Sequence, residues 1–322
     1  MLDEILARRV VIVLGKGGVG KTMLSGALAK VTAAAGRRTL LMECDSRAPL
    51  MTAFGQKPSF DPVAAAPNLS LMVLDGRHAL DEYLHVVVPS RMILRAVTSS
   101  RLYQFFVQAA PGLRELMMIG KVYYEAETRA AESEHWEAII VDAPASGQAL
   151  SFLKMPDTAH GTFGESIVGK ESGRIARMLH DRRRCAIVQA ATADGLSVSE
   201  TIETYAELEK IGLAPAAILF NRAVAEKFGA DEIAALSDSN GGAQSHARLE
   251  HLAALANGEL ARAAKSDDAL ARLRAKTGAP VIEVAECPGA SGMKLIDALA
   301  ARLAALRSGG ADSPPSTAAG QI

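Results

Sequence analysis

The sequence predicts an α/β fold: a doubly wound, mostly parallel sheet with helices on both faces and one inserted helical subdomain. Three observations predict it. Short continuous runs of β-branched and aliphatic residues alternate with longer alanine- and leucine-rich stretches, the pattern of βα units. Hydrophobic residues make up 49% of the 322 and charged residues 22%, a balance that fills a large core and does not describe a disordered chain. A glycine-rich loop stands between the first apolar run and the first helical stretch, at the place where open α/β sheets hold their ligands.

The elements follow in order. Arg9 to Leu14 reads as a buried strand, and Thr39 to Met42, Leu69 to Leu74, Ala138 to Val141, Cys185 to Val188, Ala216 to Phe220 and Val281 to Val284 read alike. Strands that are apolar throughout, without alternation, are buried on both faces. Helices are predicted at Met23 to Ala35, Ser197 to Ile211, His246 to Ala264 and Met293 to Leu306. The stretch 77–134 is helical and unusually apolar and predicts the inserted subdomain. Its stripe of Met92, Ile93, Leu94, Phe105, Phe106, Leu116, Met117, Met118 and Ile119 suits core packing, with a surface for an apolar client as the other reading. Residues 157–174 carry Gly161, Gly164, Gly169 and Gly173 and predict a mobile loop or lid. The arrangement predicts one nucleotide-binding domain over 1–307, followed by a polar Pro/Ser/Gly tail, 308–322, expected to be disordered.

Composition excludes several classes. With 35 basic and 36 acidic residues the net charge is −1, so no whole-domain footprint for nucleic acid is expected. No apolar run reaches roughly 18–20 residues, and the N-terminal apolar run passes straight into the glycine loop, so neither stable membrane insertion nor a signal peptide is expected. Cys44, Cys185 and Cys287 lie far apart, with no C-x-x-C pair. They read as buried thiols in a reducing, cytoplasmic setting. Arg182-Arg183-Arg184 reads as a solvated cluster at a helix end.

Gly15-Lys16-Gly17-Gly18-Val19-Gly20-Lys21-Thr22 matches G-x-x-x-x-G-K-[ST] between a predicted strand and a predicted helix, the context that motif needs. Its glycines let successive N–H groups turn inward around phosphates, and the helix N-terminus adds a favourable dipole. Lys21 is expected on the β- and γ-phosphates and Thr22 on Mg²⁺. Lys16, inside the loop, has no folding purpose. From its own loop it is poorly placed to aid its own nucleotide, whereas across a dimer seam it can neutralise charge in a neighbour's site. Asp45 follows the second strand, at the carboxyl edge of the sheet. It can orient water or ligate metal there, or simply form a turn. Asp142 ends an apolar strand in the Walker B manner and is expected to hold Mg²⁺, through water, or to sense it.

The loop with its early lysine resembles the deviant Walker A loop of the MinD/ParA/ArsA superfamily. The chain is similar to its ArsA branch, the arsenite-pump and tail-anchored-protein-targeting ATPases, over roughly residues 9–307. Glu43-Cys44-Asp45-Ser46-Arg47 resembles switch I, and Asp142-Ala143-Pro144-Ala145-Ser146-Gly147-Gln148 resembles switch II, with Gln148 where the family carries histidine. Pro111-Gly112-Leu113-Arg114-Glu115 is similar to a segment of bacterial ArsA-like proteins. Phe220-Asn221-Arg222 resembles the adenine-reading segment, and Glu286-Cys287-Pro288-Gly289 its second adenine-side loop. The resemblance implies ATP and Mg²⁺ as cofactors. It implies catalytic roles for Lys16, Lys21 and Asp45, the last orienting the attacking water, and metal contacts at Thr22, Asp142 and Asp45. It implies nucleotide contacts at Gly15, Gly17, Gly18, Val19, Gly20, Lys21, Thr22, Met23, Asn221, Arg222 and Pro288. Asn221 also suits a strand cap, and Pro288 a turn.

A soluble ATPase is therefore expected. It would hydrolyse ATP to ADP and phosphate in a nucleotide-driven homodimer, or in a heterodimer with a paralogous subunit, and couple ATP state to an unidentified protein client or membrane partner. A MinD/ParA-like spatial regulator, an arsenite or other anion efflux subunit and a non-catalytic nucleotide switch are the alternatives. The chain has one such loop, lacks the C-x-x-C clasp of the targeting relatives and has no cysteine cluster for arsenite. Its last predicted helix reads as part of the fold, not as a membrane-binding segment.

Overall fold

The computed structural model describes residues 1–87, 90, 100, 112–128, 135–226, 229, 231–233 and 243–307. These form two compact units. One comprises Met1–Val13, Thr22–Ala186 and the chain from Gly289 on; the other comprises Leu14–Lys21 and Ile187–Pro288. In sequence, the division falls within the glycine loop.

The elements in chain order are α1 (Leu2–Leu6), β1 (Val10–Gly15), α2 (Lys21–Ala34), β2 (Thr39–Glu43), α3 (Pro49–Ala53), β3 (Val63–Ala66), β4 (Leu69–Val73), α4 (Gly76–Val87), α5 (Leu113–Tyr123) with a π-helical turn (Tyr124–Thr128), β5 (Ala138–Asp142), α6 (Ser146–Phe163), α7 (Ile167–His180), β6 (Cys185–Ala191), α8 (Gly195–Lys210), β7 (Ala217–Ala223), α9 (Ala243–Lys276), β8 (Val281–Ala285) and α10 (Gly292–Arg307). In the first unit the strands run β3-β4-β2-β5-β1. All neighbours are parallel except β3 against β4. In the second, β6, β7 and β8 are parallel. β1, β2 and β5 are buried along their whole length, as their continuous apolar sequences require. The fold class is the expected one: a mostly parallel sheet with flanking helices.

Register places the chemistry. Glu43 pairs with Asp142, and Asp142 with Val13, so the carboxyl ends of β2, β5 and β1 finish level. Asn221 near the end of β7 lies opposite Val284 near the end of β8.

Three features differ from the sequence reading. β3 was not foreseen. It is an alanine-rich edge strand, half-exposed, joined to β4 by a turn with Asn68 at φ 58°, and its short run of small side chains shows neither alternation nor the large β-branched residues that mark the other strands. α9 continues past Ala264 to Lys276. The polar Lys265-Ser266-Asp267-Asp268 looks like a break, yet Ala269, Leu270 and Leu273 resume the buried stripe, and Ser266 accepts the Val224 amide at 3.2 Å.

The loop expected at 157–174 is instead the hairpin of α6 and α7. Its glycines serve close approach: a Cβ on Gly169 would stand 2.1 Å from the Gly164 carbonyl oxygen, and one on Gly173 2.8 Å from His160 Nδ1. His160 Nδ1 also lies 2.8 Å from the Gly169 carbonyl, and Ser166 caps α7 by accepting the Gly169 amide at 3.1 Å.

Of the inserted segment, α4 and α5 are described. Leu116, Met118 and Ile119 are buried there and Met117 is half-buried, as the core reading expects. Met92, Ile93, Leu94, Phe105 and Phe106, and the tail 308–322, lie outside the described residues. Inside this region Lys121 pairs with Glu82 at 2.7 Å and with the fully buried Glu125 at 3.1 Å, and Trp136 Nε1 donates to Glu125 at 3.0 Å. α10 packs into the first unit through Ile296, Leu299 and Leu303. No helix among the described residues is long and apolar enough to cross a membrane.

Candidate active site

In the second unit the glycines do what the motif demands. Gly15 is at φ 154°, and a Cβ there would meet the Ala190 carbonyl oxygen at 2.7 Å. Gly20 is at φ 86°, and a Cβ there would stand 2.4 Å from Asn221 Nδ2. Both positions require glycine for backbone approach as well as for dihedral freedom. The exposed turn at Gly17 and Gly18 has open space beside it, Val19 is buried beneath it, and Lys21 opens α2.

Asn221, 5% exposed, donates from Nδ2 to the Val19 carbonyl at 2.8 Å. It braces the loop from below, a role the sequence did not suggest. A primary amide has a second N–H and a carbonyl oxygen, and those are what Asn221 has to offer a base edge. Asn221→Ala leaves the Val19 carbonyl without its donor. The expected cost is about 1–3 kcal/mol, read as a lower urea midpoint together with weaker nucleotide binding; unchanged values for both would contradict the brace. Arg222 is exposed and holds φ 59°, at the point where the β7–β8 register slips. Such a conformation costs a non-glycine residue on the order of 1 kcal/mol. Pro288 is exposed, just beyond the end of β8.

Lys16 Nζ lies 3.3 Å from Asp194 Oδ2. The same oxygen caps α8, accepting the Ser197 amide at 3.1 Å. The Ser197 amide and the Lys16 ammonium together hold the Asp194 carboxyl below the usual carboxylate range.

In the first unit Thr22 Oγ1 donates to Asp142 Oδ2 at 2.8 Å and Ser25 Oγ donates to Oδ1 at 3.0 Å. Asp142 is 2% exposed. A buried carboxylate and a hydroxyl, both hard oxygen donors, fit Mg²⁺, which takes one or two protein ligands and fills its octahedron with water and substrate phosphates. No cluster of three or more His, Cys, Asp or Glu that could hold a metal is gathered among the described residues. Met23 is half-buried one residue on.

Asp45 turns its carboxylate onto Arg47. It accepts the Arg47 amide at 2.9 Å and the guanidinium at 2.7–3.2 Å. Glu43, 1% exposed, accepts the Leu50 and Met51 amides at 2.8 and 3.2 Å and so holds the start of α3. Burial pushes its carboxyl up to about 7 despite those two amides, with the charges of Asp142 and Asp45 adding to the rise. A carboxyl raised from 4.5 to about 7 on folding binds its proton more tightly in the native state, so its contribution is fully present below pH 4.5 and is lost as pH rises through 7. In nucleotide-free, metal-free protein the urea midpoint is expected to fall across that window. Glu43→Gln should flatten the fall; an equal slope in both proteins would contradict this.

Cys185 is buried, its thiol pushed up to about 12 by desolvation. Cys44 and Cys287, expected to be buried, are half-buried, and none of the three cysteines forms a disulfide. Arg182, Arg183 and Arg184 are exposed, and Arg184 pairs with Glu127.

A glycine loop with φ > 0 turns, a lysine at its helix end and a hydroxyl bonded to a strand-end aspartate define a P-loop nucleotide-binding α/β protein. A sequence profile described as anion-transporting ATPase matches residues 8–180. More than half of the chain is matched, and the chain belongs to the anion-transporting ATPase family. It is 28% identical over 222 residues to the ATPase BagA of Mycobacterium tuberculosis, covering 66% of this chain and 65% of that one. It is 28% identical over 203 residues to the ATPase GET3 of Rhodotorula glutinis, covering 62% and 54%. It is 30% identical over 149 residues to an ATPase ASNA1 homolog of Babesia bovis, covering 46% and 38%. The matched region thus spans less than two thirds of each relative.

Proposed function

We propose that this chain hydrolyses ATP to ADP and phosphate as a nucleotide-driven dimer, with itself or with a paralogous subunit, and passes the ATP state to a client protein or a membrane partner. The bonding of Thr22, the residue that follows the Lys16/Lys21 loop in sequence, to Asp142 carries the reading. The loop amides and Lys21 hold the β- and γ-phosphates. Thr22 and Asp142 would hold Mg²⁺, which would supply positive charge to offset that of the phosphates. Asp45 holds a water in line with the γ-phosphorus. The water oxygen bonds to phosphorus, the bond to the β–γ bridging oxygen breaks, and the water's proton leaves with inorganic phosphate. Lys16 of the neighbouring protomer offsets charge developing on the transferred group. Asn221, Arg222 and Pro288 face the base. Three cysteines outside any disulfide suit a cytoplasmic setting. The test is steady-state phosphate release with Mg-ATP across a dilution series: specific activity rising with protein concentration supports the reading, and no release at any concentration refutes it.

A further inference from the structure

We propose that Asp194 is the dock for Lys16 in the unpaired protomer, so that nucleotide-driven pairing must draw the lysine off it. The inference rests on the reading above, in which Lys16 acts across the dimer.

The Lys16 side chain is only 26% exposed, and its ammonium lies 3.3 Å from Asp194 Oδ2. It does not wave freely from the loop tip. The acceptor is fixed independently of the lysine. Asp194 holds the non-helical dihedrals of an N-cap, φ −65° and ψ 127°, and accepts the Ser197 amide. Ser197 Oγ in turn accepts the Thr192 amide at 3.1 Å. This turn between β6 and α8 is therefore built whether or not Lys16 is present, whereas Lys16 stands next to the open turn of Gly17 and Gly18. One ammonium cannot stay on this carboxylate and also reach a reaction centre in a second protomer, so the two positions compete. An exposed pair of this kind shifts an equilibrium by roughly 1.4- to 5-fold. Asp194 thus biases Lys16 and does not lock it, and added salt weakens the bias.

Asp194→Asn separates the two duties of the residue, because asparagine caps a helix as well as aspartate does but carries no charge for Lys16. In dilute, nucleotide-free protein, acetylation of Lys16 by limiting acetic anhydride, read by peptide mass against the exposed Lys57, should rise roughly 1.4- to 5-fold in the variant. The midpoint of dimerisation driven by a non-hydrolysable ATP analogue, followed by sedimentation, should move to lower protein concentration by a similar factor. Equal labelling of Lys16 in both proteins overturns the dock. Raised labelling with an unmoved midpoint overturns the competition. A wild-type protein that never dimerises removes the proposed dimer mechanism instead, and labelling alone then decides whether Asp194 holds Lys16.

Discussion

Lys16→Ala keeps its ATP and loses its turnover, by about 10³-fold or more if the lysine acts as a trans-supplied cation of the arginine-finger kind. The two properties separate because they have different sources. In the proposed reading, binding comes from the backbone of Gly15–Gly20, from Lys21 and from the start of α2, and none of these depends on the Lys16 side chain. The strained positions, Gly15 and Gly20, are held against Ala190 and Asn221, and Asn221 holds the Val19 carbonyl. Lys16 instead points away onto Asp194. Equilibrium titration with a fluorescent ATP analogue, alongside phosphate release, reads both quantities. Normal release from the variant would remove the trans-acting lysine.

Asp45→Asn is expected to bind ATP, remain paired and release phosphate at least about 10²-fold more slowly, the order of loss that follows from a misplaced reactant. The substitution is nearly isosteric. Its carbonyl oxygen still accepts the Arg47 amide, now served by Asp45 Oδ1 at 2.9 Å, so the turn after β2 survives. What goes is the negative charge that orients water and that presently binds the Arg47 guanidinium. Sedimentation should show an ATP-loaded dimer that persists after the wild-type dimer has decayed. Phosphate release at the wild-type rate would reassign the water-positioning role.

The parts of this protein written in local pattern were legible in its sequence. β1, β2 and β5 are buried on both faces and so read as unbroken apolar runs, and the loop between β1 and α2 carries its function in its spacing. What escaped was set by tertiary contact. Gly169 and Gly173 look like flexibility and are instead contact points between α6 and α7. Ser25, one helical turn after Thr22, is a plain helix serine until Asp142 is placed beside it. Glu43 and Arg47 gain meaning only from the way the chain after β2 folds back. Asp194-Gly195-Leu196-Ser197 is readable as a helix cap, but nothing local connects it with a lysine 178 positions earlier. Asn221 was expected at a base edge, and its bond to Val19, between residues 202 apart, adds a structural duty that no spacing rule encodes.

Mixing the two inactive variants tests the central claim most directly. Lys16→Ala and Asp45→Asn are combined one to one before nucleotide is added, and phosphate release is then measured. With the lysine acting across the seam, each mixed dimer holds one complete site, built on the Lys16→Ala protomer and finished by its neighbour's Lys16. Random pairing makes half the dimers mixed, so release should recover to ~25% of the wild-type rate. A lysine serving its own nucleotide leaves both sites of every mixed dimer broken. Release no higher than the average of the two separate variants would contradict the account.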